Sequence, residues 1–342
     1  MVLRIACVGA GRAGTTHIEA AATIPEIVSY AAIVDNDPIH LREMADRFRM
    51  GKRYANLEQA LSDPKIDAID ICTPHQLHVS MAVAAVEAGK HVMVEKPMAM
   101  NVAEATAMID AAEANGVALF VAENMAYESR INFLRNVVFE GDLIGELTAA
   151  TVIAGFRAEG EYGYPGRRAW LAEPEHGGTG TWMLHGIHTI AGMRQVFGEF
   201  GSIYLTEHKT LSFPRSDLEG TLTGLLTTLG GLGVGLIQSP ETRFGSELEG
   251  YTIHGEKGSI CALPDGWRLI AGGEDSRLRP YPDGMANSYI SELEAFAAMV
   301  AGDDSVHTTG RSERRSLAIV EAGIKSLQTG TAVDISEVFG DI

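Results

Sequence analysis

The apolar run Leu3-Arg4-Ile5-Ala6-Cys7-Val8 leads without a break into Gly9-Ala10-Gly11-Arg12-Ala13-Gly14, and no other stretch limits the fold so tightly. The run has the composition of a strand buried on both faces of a parallel sheet. The helix-forming segment Thr15–Thr23 follows, then a second strand-like run, Ile27–Val34, that ends in Asp35, 21 residues after Gly14. Gly9 suits the tight turn, Gly11 a backbone that must approach a pyrophosphate, and Gly14 a helix packed close to the strand. Arg12 and Ala13 sit at the helix mouth, whose free N–H groups and positive dipole end favour phosphate. Asp35 can accept hydrogen bonds from a ribose diol. A glycine-rich structural turn is the plainer reading, but strand, glycines, helix, strand and terminal acid in register point to a dinucleotide site. Asn36 follows Asp35 where a protein preferring NADP would often carry a basic residue, so NAD is expected and NADP disfavoured.

At 342 residues the chain exceeds what one core usually fills, so two domains are expected. A formal net charge of −18 opposes binding to nucleic acid or an anionic membrane surface. It does not oppose an anionic cofactor held by helix-end N–H groups. The three cysteines, Cys7, Cys72 and Cys261, have no metal-binding spacing, and two fall in predicted buried strands. No signal-peptide pattern and no apolar run of ~20 residues is present. A cytoplasmic protein with no membrane partner is expected.

From Asp35 to Val121 helix-like and strand-like segments alternate, the rhythm of a doubly wound parallel sheet. Helices are predicted at Pro38–Arg49, Leu57–Leu61, Gln76–Ala88 and Asn101–Asn115, with strands at Ala68–Cys72, His91–Val94 and Val117–Val121. Ligands of such sheets bind outside the carboxyl ends of the strands. Thr73-Pro74-His75 and Glu95-Lys96-Pro97 both follow strand ends, so they are expected on the edge that carries the glycine loop. After residue 123 a helix over Tyr127–Glu140 precedes seven strand-like runs joined by turns such as Gly230-Gly231 and Pro264-Asp265-Gly266. Helices are expected at Trp182–Phe197, Ser288–Val300 and Glu313–Leu327. The predicted architecture is α/β: a Rossmann domain over 1–123, then an α+β domain over 124–342 with a mostly antiparallel open sheet. The second domain is assigned substrate binding and oligomerisation.

Together these residues resemble the glucose–fructose oxidoreductase, inositol dehydrogenase and MocA family of nicotinamide-dependent oxidoreductases, over nearly the whole chain. The resemblance rests on Gly9 to Gly14, Cys72-Thr73-Pro74 with His78 four residues after the proline, and Glu95-Lys96-Pro97. It extends to Gly141-Asp142-Leu143-Ile144-Gly145, Gly177-Gly178 leading a helix to His188, and Gly255-Glu256-Lys257-Gly258. It implies that Lys96 contacts the reacting hydroxyl and the nicotinamide ribose, and that His188 accepts the proton. It also implies that Asn124, at the end of the last Rossmann strand, faces the site, and that the protein is a homodimer or homotetramer. In many members an aspartate four residues before the histidine orients it. Here that position is Leu184, with a second histidine, His185, beside it.

Each candidate has a plainer reading. Lys96 could be a solvated lysine, and Glu95 could pair with Lys96 or border the nicotinamide. Two histidines three apart can share a metal, yet neither His75/His78 nor His185/His188 has a further ligand suggested nearby, so no metal is expected. His78 reads as a packing or capping residue that also counts, with His75, among the cofactor-binding candidates; His75 reads as pocket wall and His17 as structural. On a regular helix at ~100° per residue, Leu184 lies about 40° to one side of His188 and His185 about 60° to the other. His185 is therefore a candidate to support His188. Tyr162, Tyr164, Arg167, Arg168 and Trp170 read as a substrate lid or as a subunit contact.

The expected activity is NAD-dependent hydride transfer between nicotinamide C4 and a carbinol carbon of a sugar, polyol or related ring. A glycosidase that retains NAD for transient oxidation, and a non-catalytic nicotinamide-binding regulator, are the alternatives.

Overall fold

The computed structural model describes residues 2–140, 143–156, 169–172, 180–211, 218–242, 244–271, 277–282, 284 and 286–340. The chain forms two compact units. Met1–Tyr127 and Asn287–Arg314 belong to the first; Glu128–Pro174, Gly178–Ala286 and Arg315–Ile342 belong to the second. This differs from a single cut after residue 123, for a reason visible in the packing. Helix Ser288–Val300 sets Leu293 and Phe296 into one apolar cluster with Ile5, Val28, Met93 and Phe120 of the parallel sheet.

The first unit holds β1 (Leu3–Val8), β2 (Val28–Val34), β3 (Lys52–Tyr54), β4 (Ala68–Ile71), β5 (His91–Glu95) and β6 (Leu119–Ala122). Their order is β3-β2-β1-β4-β5-β6, every pair parallel. The strand order reverses beside β1, so the glycine turn that follows it opens at the switch point where such sheets bind ligands. Strand β3 is a short edge strand of polar composition (Lys-Arg-Tyr), which is why hydrophobic patterning passes over it. Helix Val102–Asn115 begins with Asn101 capping Glu104 N–H and stops where Gly116 turns left-handed at φ 63°.

The second unit contains β7 (Leu147–Gly155), β8 (Phe200–His208), β9 (Thr221–Thr228), β10 (Gly233–Ser239), β11 (Gly250–Gly255), β12 (Gly258–Leu263), β13 (Gly266–Ile270) and the two-residue β14 (Val333–Asp334). They pair in the order β13-β12-β11-β7-β10-β9-β8-β14, antiparallel except for β7 with β10. The pleat separates two faces. The register Ile203–Leu226–Val234–Ala150–Ile253–Ile260 is buried throughout, while the adjacent row begins with Tyr204 and Leu225, 38% and 49% exposed. Helix Ser129–Glu140 packs on helix Ile187–Phe197 and on β12 within this unit. The expected helix Trp182–Phe197 is not uniform: Trp182–Gly186 is a π-turn, and regular α-helix begins at Ile187.

Candidate functional site

Three glycines of one motif have three physical explanations. Gly9 lies at φ +87°, and a Cβ there would meet the Cys72 carbonyl oxygen at 2.6 Å. A Cβ on Gly14 would meet Cys7 Sγ at 2.6 Å and the Gly9 carbonyl oxygen at 2.7 Å, so this residue lets the helix lie against the strand. Gly11 is different, since a Cβ on it would meet no other packed atom within 4 Å among the described residues. Internal packing does not require glycine there, and the open space suits a pyrophosphate approaching the protein backbone. Gly11 is also the N-cap of helix Arg12–Ala21, and no side chain caps that end. Exposed Arg12 and half-exposed Ala13 border it. The donor set therefore fits a dinucleotide pyrophosphate.

Asp35 follows β2 and is buried, accepting Asp37 N–H at 3.0 Å, while Asn36 beside it is exposed. His40 stands 4.0 Å from the Asp35 carboxylate, with its Nε2 2.8 Å from the Ala10 carbonyl oxygen. That residue ties the acid to the glycine turn and was not singled out from sequence. Helical periodicity hides it, because it falls on the first turn of an ordinary amphipathic helix.

Thr73 and Pro74 are half-exposed at the carboxyl end of β4, and His75 is buried at the start of the turn His75–Leu77. His78 is fully buried, with Nδ1 3.0 Å from the Pro97 carbonyl oxygen and Nε2 3.0 Å from that of Thr73. It braces the loops after β4 and β5, a packing role. Burial lowers its pKa against those two carbonyl contacts. Asn124 donates to Ser288 Oγ at 2.9 Å, so its side chain anchors the start of helix Ser288–Val300.

Glu95 ends β5, and its Oε2 accepts the Lys96 N–H at 3.0 Å; the Lys96–Pro97 peptide is cis. Burial lowers the Lys96 pKa and Arg12 adds to the effect, against the opposing charges of Glu95 and Glu123. Glu123 is wholly buried just after β6, and burial pushes its pKa up to about 7 despite Lys96. A lysine held this way can exchange a proton nearer neutrality than a surface lysine. Glu123 escaped the sequence reading; its only signal was a carboxylate ending an otherwise apolar strand.

In the second unit, His188 is half-exposed in the first turn of the regular α-helix. The π-turn before it is closely packed. Trp182 is fully buried, its Nε1 donates to the Val320 carbonyl oxygen at 2.9 Å, and its ring covers the face of Gly186 where a Cβ would stand. The widened turn replaces the ~100° spacing assumed for Leu184 and His185. Leu184 is buried with Leu171 and Leu218, against Phe156 and Trp170. His185 stacks on Phe156, ring centroids 3.7 Å apart. Leu184 thus faces an apolar cluster, the reason no carboxylate stands there. Leu184→Asp is expected to lower stability by about 3 kcal/mol or more, from lost packing and a buried acid. A urea midpoint equal to the parent's would refute this account of position 184.

Among the described residues, Cys7, Asp70 and Cys72 bring potential metal-ligand atoms within 4.8 Å of one another. The Asp70 oxygens already accept from Tyr30 Oη at 2.6 Å and Cys72 Sγ at 3.3 Å, and face His17 Nδ1 at 3.0 Å. These proton donors make the set a hydrogen-bond cluster. All three thiols of the chain are free. No described helix is long and apolar enough to cross a membrane. Tyr162, Tyr164, Arg167, Arg168, Gly141, Asp142, Gly177 and Gly178 lie outside the described residues.

Two family models match: the NAD-binding Rossmann fold of the Gfo/Idh/MocA oxidoreductase family over residues 3–123, and its C-terminal alpha/beta domain over residues 140–335. The chain belongs to the Gfo/Idh/MocA oxidoreductase family. It is 26% identical to the myo-inositol 2-dehydrogenase of Thermotoga maritima across 99% of this chain and 100% of that one. It is 27% identical to the 1,5-anhydro-D-fructose reductase of Ensifer adhaerens across 84% of this chain and 85% of the relative. A levoglucosan dehydrogenase solved with NADH superimposes at a TM-score of 0.85, 22% identical, over 98% of this chain and 99% of that one. At that identity the superposition shows a shared fold. The family's NAD-binding domain is the unit that carries Gly9–Gly14, Asp35 and Lys96.

Proposed function

We propose that this Gfo/Idh/MocA protein is an NAD-dependent dehydrogenase or reductase acting on a carbinol carbon of a sugar, polyol or related hydroxylated ring. The observation that carries the proposal is the state of Lys96, a half-exposed lysine at the carboxyl end of β5 whose pKa burial lowers between two carboxylates. Relatives named for inositol, anhydrofructose and levoglucosan support the substrate class. NAD, when bound, supplies the hydride acceptor. Gly9, Gly11, Arg12, Ala13 and Gly14 would hold its pyrophosphate and Asp35 its ribose diol, with Thr73, Pro74 and His75 along the same sheet edge. Lys96 positions and polarises the substrate oxygen, and His188 takes its proton. Histidine suits that step because its ordinary pKa of ~6.5 lies near working pH. His185 supports His188.

The same reading gives a cytoplasmic homodimer or homotetramer. The exposed row of the second sheet that begins at Tyr204 and Leu225 supports self-association.

The test is a panel of sugars and polyols assayed with NAD and NADP by nicotinamide absorbance. NADH formation on at least one polyol is expected, with NAD favoured about tenfold or more. A 2′-phosphate beside Asp35 would meet like charge, at a cost of ~1–2 kcal/mol. No oxidation of any panel member, or tighter binding of NADP in a fluorescence titration, would overturn the corresponding half. Glycoside cleavage without net NADH would instead identify a glycosidase that retains NAD.

A further inference from the structure

His17 is fully buried in the first helix and is met by carboxylates from three separate elements. Its Nδ1 lies 3.0 Å from Asp70 Oδ2 on β4. Its Nε2 lies 3.5 Å from Glu95 Oε1 at the end of β5 and 3.5 Å from Glu292 Oε1 on helix Ser288–Val300. Tyr30 Oη and Cys72 Sγ also donate to Asp70, Cys72 Sγ lies 3.7 Å from His17 Nδ1, and the Tyr289 ring stands 5.9 Å from the imidazole. Cys7 adjoins Asp70 and Cys72. A neutral imidazole would turn a lone pair toward carboxylate on one side, whereas an imidazolium offers N–H to both. Burial opposes that charge, but Asp70, Glu292 and Glu95 outweigh it and push the pKa up to about 10.

One cation does not balance three ionised acids where two of them, Asp70 and Glu292, are shut off from solvent. Asp70 has hydrogen-bond donors on both oxygens, and Glu95 takes the Lys96 N–H. Glu292 is wholly buried, and neither of its oxygens has a hydrogen-bond partner among the described residues. Burial raises its pKa well above the ordinary carboxylate range, and the charge of His17 opposes that shift. The cluster is therefore an imidazolium with Asp70 on one ring nitrogen and Glu95 and Glu292 facing the other; burial raises the Glu95 pKa, and His17 and Lys96 oppose that shift. Glu95 spans the link, with Oε1 in a 3.5 Å ion-pair contact with His17 Nε2, which makes no hydrogen bond among the described residues, and Oε2 accepting the Lys96 N–H.

We propose that His17 is a positioning residue: a buried imidazolium that clamps the Glu95 carboxylate and, through it, sets the placement and charge balance of Lys96. This rests on the reading that Lys96 takes part in the reaction. Glu123 and Arg12 also act on Lys96 but sit outside the clamp.

Nitrogen-resolved NMR of the imidazoles in the full chain is the direct test. His17 is expected to keep both ring protons from about pH 6 to about pH 9, where an ordinary histidine has lost one. In ¹³Cε-lysine-labelled protein, His17→Gln is expected to raise the Lys96 titration by about half a unit or more, because Glu95 then faces the ammonium uncompensated. The limb of the pH–rate profile that Lys96 controls should move the same way, while NAD affinity stays within about threefold. Glu292→Gln, which leaves the Glu95 link intact, should leave the Lys96 titration in place. Loss of a His17 ring proton below about pH 9, or an unmoved Lys96 titration in folded His17→Gln, overturns the clamp. Should His17→Gln not fold, the parent imidazole spectrum and Glu292→Gln still decide. Normal turnover by Lys96→Met would overturn the catalytic reading of Lys96 and leave the titrations standing.

Discussion

Lys96→Met is expected to bind NAD within a few-fold of the parent and to lose turnover by about 10²-fold or more, the scale for removing a positioned acid–base or electrophilic group. Methionine keeps most of the volume, so the turn after β5 should persist, with Glu95 still accepting the backbone N–H of residue 96. A companion substitution fixes the sign of the electrostatic effect. The charge of Glu123 raises the Lys96 pKa against burial, so Glu123→Gln should lower it further. The Lys96 limb of the pH–rate profile then moves to lower pH, opposite to the shift expected for His17→Gln. Rate profiles for the three variants, with fluorescence titration of NAD, check this. A fully active Lys96→Met enzyme would mean that Lys96 is only a well-packed lysine.

His188→Ala should be nearly inactive, again by about 10²-fold or more, while retaining NAD binding. The histidine lies in the second unit, away in sequence from every residue of the glycine motif, so a loss confined to turnover would assign it to the substrate. For His185 the π-turn and the stack on Phe156 change what must be measured. His185→Ala removes both the ring nitrogens and the stacked ring. His185→Phe removes only the nitrogens. A displaced limb in both variants is expected if His185 supports His188 through charge or hydrogen bonding. An unshifted, fully active His185→Phe enzyme would assign His185 to packing alone.

The parallel unit was legible because its signals are local. Strand β1, the glycines, the first helix and Asp35 occupy one short segment, and a βαβ connection in a parallel sheet is almost always right-handed. Placement of Thr73 and Lys96 at strand ends followed from the same regularity. Helix Ser288–Val300 was also readable as a helix, yet nothing in its periodicity says which sheet it covers. Its apolar residues would suit either core, and only packing joins Leu293 and Phe296 to Phe120. The π-turn was hidden for a similar reason. Residues 182–186 keep a helical composition, and the widened turn, with the Trp182 ring lying over Gly186, is visible only in the packed structure.

By itself, the sequence determined the dinucleotide-binding fold, the family and the strand-end positions of the reactive candidates, because each depends on residues close together along the chain. The tertiary structure alone decided the electrostatics. Asp70 and Glu292 are more than two hundred positions apart, yet both face His17, and His78 joins the loops after β4 and β5 through contacts that no spacing encodes. Desolvation and opposing charge set a titration, and both are properties of the packed interior rather than of any segment.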